Sequence, residues 1–423
     1  MIYDICIVGA GASGLFAAQY LADRGMSVVL VEGNDVFGKK LRLTGNGRCN
    51  LTNEKMESSC FYCKDDSFIS SVISTVPNER LFSEFKNILL DTVNIDGYYY
   101  PADVSSQSVI NALSIPITKS DITIINKTKV REVQKNDGIF TILGDKNSKA
   151  SERPVICLSR KLILSCGGAS YPKTGSDGSG IKILEKLGLK VARPLPALVP
   201  LICNNRNISM LKGLRHIGRI ALLDNKNNVI TETGEIQYTE DGLSGIAIFQ
   251  ISRIIVRMID RGEKAELFID HLPNMDYDEL ADNLKRRFSC KKYSLSVQEA
   301  LNSLIPDKLI NYVLAELSIS SDTDTNKIDN SLQIRISDKL KKDRFEIVES
   351  KKFDKAQTIS GGIDVSELEF GTMEVKKISG LYTTGEMIDC DGICGGYNLY
   401  FAFSTSLIAC EGIIKNYVTD KSN

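Results

Sequence analysis

The chain has 423 residues, enough for two or three domains with sizeable cores. A hydrophobic fraction of 43% with 25% charged residues describes an ordinary globular protein, and a formal charge of −1 gives no global reason to bind nucleic acid or anionic lipid. Two histidines rule out a histidine-rich metal site, and eleven cysteines without small-scaffold spacing fit free thiols in a reducing cytoplasm.

The opening stretch, "MIYDICIVGAG", has an acid and no basic segment, which argues against a signal peptide. No apolar run approaches the ~20 residues of a membrane helix. Residues 2 to 8, "IYDICIV", read as a buried strand, followed by the turn "GAGASG" and a helix over "LFAAQYLADRG". "MSVVLVE" is a second strand ending at Glu32, 18 residues beyond Gly14. Strand, glycine-rich turn, helix, strand and acid in this order form the dinucleotide-binding unit. Gly9 permits the tight turn, Gly11 lets the backbone approach a pyrophosphate, and Gly14 lets the helix pack on the strand. Glu32 stands where an acid accepts hydrogen bonds from ribose hydroxyls.

"LRLTGNGRCNLTN" (41–53) sets flexible backbone beside a charge, a thiol and an amide, which suggests a loop closing on a ligand. Cys60 and Cys63 form a lone C-x-x-C with no second pair, read as two ordinary thiols. Residues 80 to 113 read as helix, a turn at "NIDGYYYP" and a second helix from Ser105, and short β runs follow between 121 and 166. After the proline cluster "ARPLPALVPL" (192–201) the pattern changes. Residues 202 to 270 alternate like strands around one helix, "GLSGIAIFQISRIIVRMI", and 276 to 318 are amphipathic and helical. The polar tract 318–330 reads as a loop. From about 356 the glycine-rich style of the N-terminus returns, so both chain ends are expected to build one nucleotide-binding domain around an insertion.

"GLYTTGE" (380–386) reads as a strand delivering Gly385 and Glu386 to its C-terminal end, where α/β sheets bind ligands. An acid there, far from Glu32, suits a ribityl chain, which FAD has and NAD lacks. "GICGGYNLYFAFSTSLIACEGIIKNYV" then supplies a Gly-Gly turn and a long apolar helix, whose N-terminus favours an anionic reduced flavin.

The motifs "GAGASG", "GKKLRLTGNGRCNLTN", "GGASYPKTGSDGSG", "PALVPL", "DGLSG", "TISGGI" and "TMEVKKISGLYTTGEMIDCDGICGGYNL" span almost the whole chain. In that order they resemble the BaiN/YhiN-like flavoproteins, also called the aminoacetone oxidase family of FAD-binding enzymes. The resemblance implies an α/β fold: a glutathione-reductase-type, Rossmann-like FAD domain with an inserted β-rich region and helical region. The boundaries expected are 1–191 and 356–423 for the FAD domain, 192–272 for the β-rich insert and 273–355 for the helical insert. It implies non-covalent FAD held by Gly9, Gly11, Ala12, Ser13, Gly14, Glu32 and Gly33, and by Lys40, Arg42, Thr44, Gly45, Gly47, Arg48, Cys49 and Asn50. Val130, Gly167, Gly168, Asp177, Gly385, Glu386, Gly395, Gly396, Tyr397, Asn398 and Leu399 complete that set.

No catalytic residue is assigned, and no metal is expected. Cys49, Cys390 and Cys394 are read as packing thiols first, with redox roles as the alternative. The absence of a second G-x-G-x-x-G leaves NAD(P)H as a candidate transient electron donor without a domain of its own. The function expected is hydride transfer through flavin N5 to or from a small organic substrate in the cytoplasm, without nucleic-acid or membrane partners. The alternative is a flavin-carrying binding or RNA-modification-associated protein; the oligomeric state stays open. The insert is expected to cover the reactive flavin face, with Arg215, Glu235 and Tyr238 turned toward it and hinges at "RPLPALVP" and "KAQTISGG". "DGYYYP" and "FAFSTS" depart from the family pattern, the first at a substrate opening and the second as repacking.

Overall fold

The computed structural model describes residues 1–146, 154–223, 228–290 and 292–422. Its contacts divide the chain into two compact units, Met1–Pro196 with Phe353–Asn423, and Ala197–Lys352.

In the first unit, strand Ile2–Val8 lies between two parallel partners, Val28–Val31 and Val155–Leu164. Thr123–Ile125 extends the sheet beyond Val28–Val31, and Leu381–Thr383 extends it beyond Val155–Leu164. Parallel strands covered on both faces need continuous apolar runs, and all four residues of "VVLV" are buried. Helix Ala12–Ala22 packs on the C-terminal helix Tyr397–Ser422, with Phe16 edge-on to Phe403 at 5.8 Å. "FAFSTS" belongs to this contact. Phe403 is fully buried, Ser406 Oγ donates to the Ser13 carbonyl at 2.8 Å, and Thr405 Oγ1 accepts from the Gly385 amide at 2.9 Å.

The second unit closes a barrel of six strands, in the order Leu201–Cys203, Gly242–Ser244, Val229–Tyr238, Arg215–Leu223, Ala265–Asp270 and Asp343–Ser350. Helix Ile246–Asp260 sits where its apolar pattern predicts. Helices Tyr277–Phe288, Val297–Leu301, Asp307–Glu316 and Asn330–Lys341 follow, and Asp276/Glu279 and Ser296/Glu299 form capping boxes at the first two. Strand Asp343–Ser350 comes after these helices yet pairs with both Leu201–Cys203 and Ala265–Asp270. The β-rich and helical stretches, expected separately, therefore share one unit.

This barrel corrects the reading of Tyr238. The residue is 1% exposed and its hydroxyl lies 3.5 Å from His271 Nδ1, so it is a core residue and not a surface contact. Arg215 is exposed and Glu235 half-buried, and they face each other across paired strands at 3.5 Å. The two histidines join a polar network that the sequence reading did not foresee. Asp343, fully buried, takes Lys339 Nζ at 2.7 Å and His271 Nε2 at 3.1 Å. With Nε2–H donated to the carboxylate, His271 Nδ1 accepts from His216 Nε2 at 3.1 Å. That leaves His216 Nδ1 a buried acceptor without a partner among the described residues. Burial, and then His271, push the His216 pKa down to about 4.

Candidate functional site

The site begins at the carboxyl end of the first strand. Gly9 adopts φ +104°, and a Cβ there would stand 2.5 Å from the Ser165 carbonyl oxygen. Gly14 is tighter still, since its Cβ would lie 1.9 Å from the Gly9 carbonyl oxygen. Gly11 is the opposite case: a Cβ would meet no described atom within 4 Å. Its missing side chain is not needed by the protein's own packing. No side chain caps the helix that follows, so its first amides face outward unsatisfied by a cap.

Glu32, 8% exposed, accepts from the Ala10 amide at 2.6 Å and from the amide and side chain of Asn34 at 2.8 and 2.7 Å. A carboxylate has about four acceptor positions, so one remains for a further donor. Gly33 is exposed beside it. Asn34 Nδ2 also donates to the Thr174 carbonyl at 2.9 Å, which ties the loop around Gly175 to this acid. Val130 is buried in the strand that starts at Thr128, whose amide donates to the Glu32 carbonyl at 3.0 Å. Asp177 is ion-paired with Lys129 and accepts from the Ser179 amide at 3.1 Å. Burial opposes its ionisation, but these donors hold its carboxyl below the usual range.

The segment 41–53 has an irregular backbone. Gly45 and Asn46 both sit at φ 55°, Gly47 at 87° and Cys49 at 58°, after an extended Thr44. Left-handed asparagine and cysteine are uncommon and mark a loop whose path is imposed by its surroundings. Cys49 is fully buried, and burial pushes its thiol up to about 12. Arg42 and Arg48 are exposed and have no ion-pair partner among the described residues. Asn50 Oδ1 is a buried acceptor with no partner there. It faces Gly396, whose Cβ would come within 2.7 Å of it. Gly395, at φ 130°, is fastened by Asn53 Nδ2 to its carbonyl at 3.1 Å.

Glu386 ties four segments together. Its oxygens accept from Lys40 Nζ at 2.5 Å, Ser170 Oγ at 2.9 Å and Thr358 Oγ1 at 3.0 Å, and from the Ile359 and Gly168 amides, both at 3.1 Å. Burial works against its charge, but Lys40 and the other donors hold it below the usual carboxylate range. The sequence reading offers Glu386 to a ribityl hydroxyl; five donors already exceed its four positions, so a hydroxyl would have to displace one. Gly168 is tight at this junction, because its Cβ would lie 2.6 Å from Ile359 Cδ1 and 2.9 Å from the Glu386 carboxyl carbon. Gly167 approaches Ser176 Oγ, and Gly385 packs near Ser13, whose hydroxyl donates to Thr384 at 2.6 Å. Ser170, Thr358 and Thr384 lie inside the quoted motifs without standing out in them, and Asn34 lies outside all of them.

Three residues at the start of the C-terminal helix are engaged differently from the expectation. Asn398 clamps Gly392 with both side-chain atoms, at 2.9 and 2.8 Å, which commits it to the protein's own loop. Tyr397 is buried edge-on against Phe61 at 5.6 Å, and Leu399 is half-buried. Their contribution to a ligand would come from the helix's first amides.

The likeness of this chain to known proteins makes it an FAD-dependent oxidoreductase with a Rossmann-type FAD-binding domain. The chain belongs to the HI0933-like Rossmann-domain family, whose model matches residues 3–412. It is 32% identical to the 3-dehydro-bile acid delta(4,6)-reductase of Clostridium scindens, over 96% of this chain and 97% of that protein. It is 27% identical to the ribosomal RNA dihydrouridine synthase of Escherichia coli, over 97% and 98% of the two chains. Among solved structures, the 3-ketosteroid-Δ4-(5α)-dehydrogenase of Rhodococcus jostii aligns over 96% of each chain at 12% identity, with a TM-score of 0.50, a likeness of fold alone. Among the described residues, no helix is long and apolar enough to cross a membrane.

Proposed function

We propose that the protein reduces a carbon–carbon double bond conjugated to a carbonyl in a small organic substrate, with FAD as resident cofactor and NAD(P)H as transient electron donor. Bound FAD supplies hydride transfer at N5. Gly9 to Gly14 and the uncapped helix suit the pyrophosphate, and the position left on Glu32 suits a ribose hydroxyl. The 40–50 segment and Gly395–Leu399 suit the flavin end. The observation behind this reading is the buried, unpartnered Asn50 Oδ1 facing Gly396. A buried acceptor needs a donor, and a flavin edge provides one. Arg48, exposed and without an ion-pair partner among the described residues, is available to stabilise negative charge on a reduced ring or an enolate-like product.

The choice of bond rests on the name of the Clostridium relative, a reductase of a 3-oxo steroid acid with double bonds at positions 4 and 6. The dihydrouridine name favours a second reading, an RNA base with the same kind of conjugated bond. The formal charge of −1 provides no basic excess for that polyanion. Anaerobic titration of the FAD-loaded protein with NADH and NADPH, followed by mixing with a conjugated 3-oxo steroid or a uridine-containing RNA, tests both. Reoxidation by the steroid alone supports the first reading, reoxidation by RNA alone supports the second, and a protein that takes up no FAD refutes both.

A further inference from the structure

All eleven cysteines are free thiols, and two pairs of them are in contact. Cys6 and Cys157 have their sulfurs 3.7 Å apart, but at 0% and 7% exposure both are shielded from solvent. The other pair joins residues far apart in the chain. Strand Phe61–Cys63 runs antiparallel to Cys390–Gly392, with Cys63 directly opposite Cys390. Opposed residues in such a pair have Cα atoms about 4.5–5.5 Å apart and side chains on the same face. A disulfide needs about 4.4–6.8 Å, so the backbone already has the required geometry.

The two thiols are not equivalent. Cys63 is half-buried, whereas Cys390 is 4% exposed. Cys390 hydrogen-bonds the Cys63 sulfur and, with the Asp65 backbone, holds the Cys63 thiol below its ordinary range against the effect of burial. Burial, and then the same bond, push the Cys390 thiol well up. A partly exposed thiol that ionises more readily than usual, beside a shielded thiol, is the arrangement of an attacking and a resolving cysteine. The short sequence spacings do not describe it. Cys60 is bonded to Tyr397 and reaches the Lys55 carbonyl at 3.9 Å, so it is not the partner of Cys63.

We propose that Cys63 and Cys390 form a reversible dithiol–disulfide couple that reacts with hydroperoxides. The Cys63 thiolate attacks the terminal oxygen of ROOH, the O–O bond breaks, ROH leaves after taking a proton, and Cys63 becomes a sulfenic acid. The Cys390 sulfur then attacks the Cys63 sulfur, the S–O bond breaks, and water leaves with the Cys390 proton. Two thiols lose two electrons and two protons, and the hydroperoxide becomes an alcohol and water. The disulfide staples the strand that leads into Gly395–Gly396, and a dithiol reductant restores both thiols by exchange.

The test uses the reduced, FAD-loaded, full-length protein and one equivalent of tert-butyl hydroperoxide. After alkylation and denaturation, free thiols should fall by two from eleven, peptide mapping should recover a Cys63–Cys390 link, and dithiothreitol should reverse the loss. Cys63→Ser and Cys390→Ser should form no internal link, while Cys60→Ser and Cys394→Ser should still lose two thiols. If a Ser variant fails to fold, the wild-type map decides alone. No thiol loss, a Cys6–Cys157 link, or Cys63 oxidised beyond the sulfenic level with Cys390 still free would each overturn the proposal.

Discussion

Gly11 and Gly14 stand three residues apart in one turn, and alanine at each should give opposite results. At Gly14 the added carbon would lie 1.9 Å from the Gly9 carbonyl oxygen and 2.5 Å from Ser165 Oγ. The first contact is with backbone, so no rotamer change relieves it and the helix must move off the strand. Overpacking of this kind costs about 3 kcal/mol or more. Alanine's better helix propensity returns less than about 1 kcal/mol. At Gly11 the backbone is already at φ −87°, which alanine adopts freely, and its Cβ would meet no described atom. Gly11→Ala should therefore cost the apoprotein no more than about 1 kcal/mol, the difference between glycine and alanine at an N-cap. It should still weaken FAD binding at least about tenfold, roughly 1.4 kcal/mol, if the pyrophosphate packs against that Cα. Urea denaturation of both apoproteins and fluorescence titration with FAD give the two numbers. A Gly11→Ala protein that binds FAD like the parent would refute the placement of the pyrophosphate. A fully stable Gly14→Ala protein would refute the packing argument.

Three other outcomes follow from the same geometry. Glu386→Gln should lower stability by about 3 kcal/mol, because Lys40 would keep its charge in a largely buried place without a counter-charge, and adding Lys40→Met should recover part of the loss; denaturant midpoints of the single and double variants decide this. Cys49→Ser should keep flavin reduction within about tenfold, or 1.4 kcal/mol of barrier, since a buried thiol at about 12 is protonated at neutral pH; a loss of several orders of magnitude in a folded, FAD-loaded variant would show that the thiol is chemically engaged. His216 is depressed from 6.5 to about 4 in the folded state, so the unfolded chain binds its proton first. Its contribution is complete above the unfolded value and is lost as pH falls from about 6.5 to about 4, by roughly 3 kcal/mol. His216→Gln should flatten stability over that window, as measured by urea midpoints, and an unchanged slope would count against the network.

The turn "GAGASG" was legible in the sequence because its requirements are local: a tight turn at Gly9 and a close helix at Gly14 both depend on a few neighbouring residues. The parallel sheet was legible for a related reason, since a strand buried on both faces must be apolar throughout, as "VVLV" is. Periodicity likewise located helix Ile246–Asp260. The candidate site was half legible. Its glycines and Glu32 follow from spacing, but the engagement of Asn398 with Gly392 and the five donors on Glu386 do not.

Pairing across long stretches of chain was decided only by the tertiary structure. Lys40 meets Glu386 across 346 positions, and Cys63 meets Cys390 rather than the nearby Cys60. The last barrel strand, Asp343–Ser350, rejoins a sheet begun at Leu201–Cys203 after four helices, and Asp343 brings the only two histidines into one buried network. Composition and local pattern specify which elements form and which faces they bury. They leave open which polar groups meet, because a buried charge or thiol takes its partner, and with it its protonation, from whatever the folded chain places within a few ångströms.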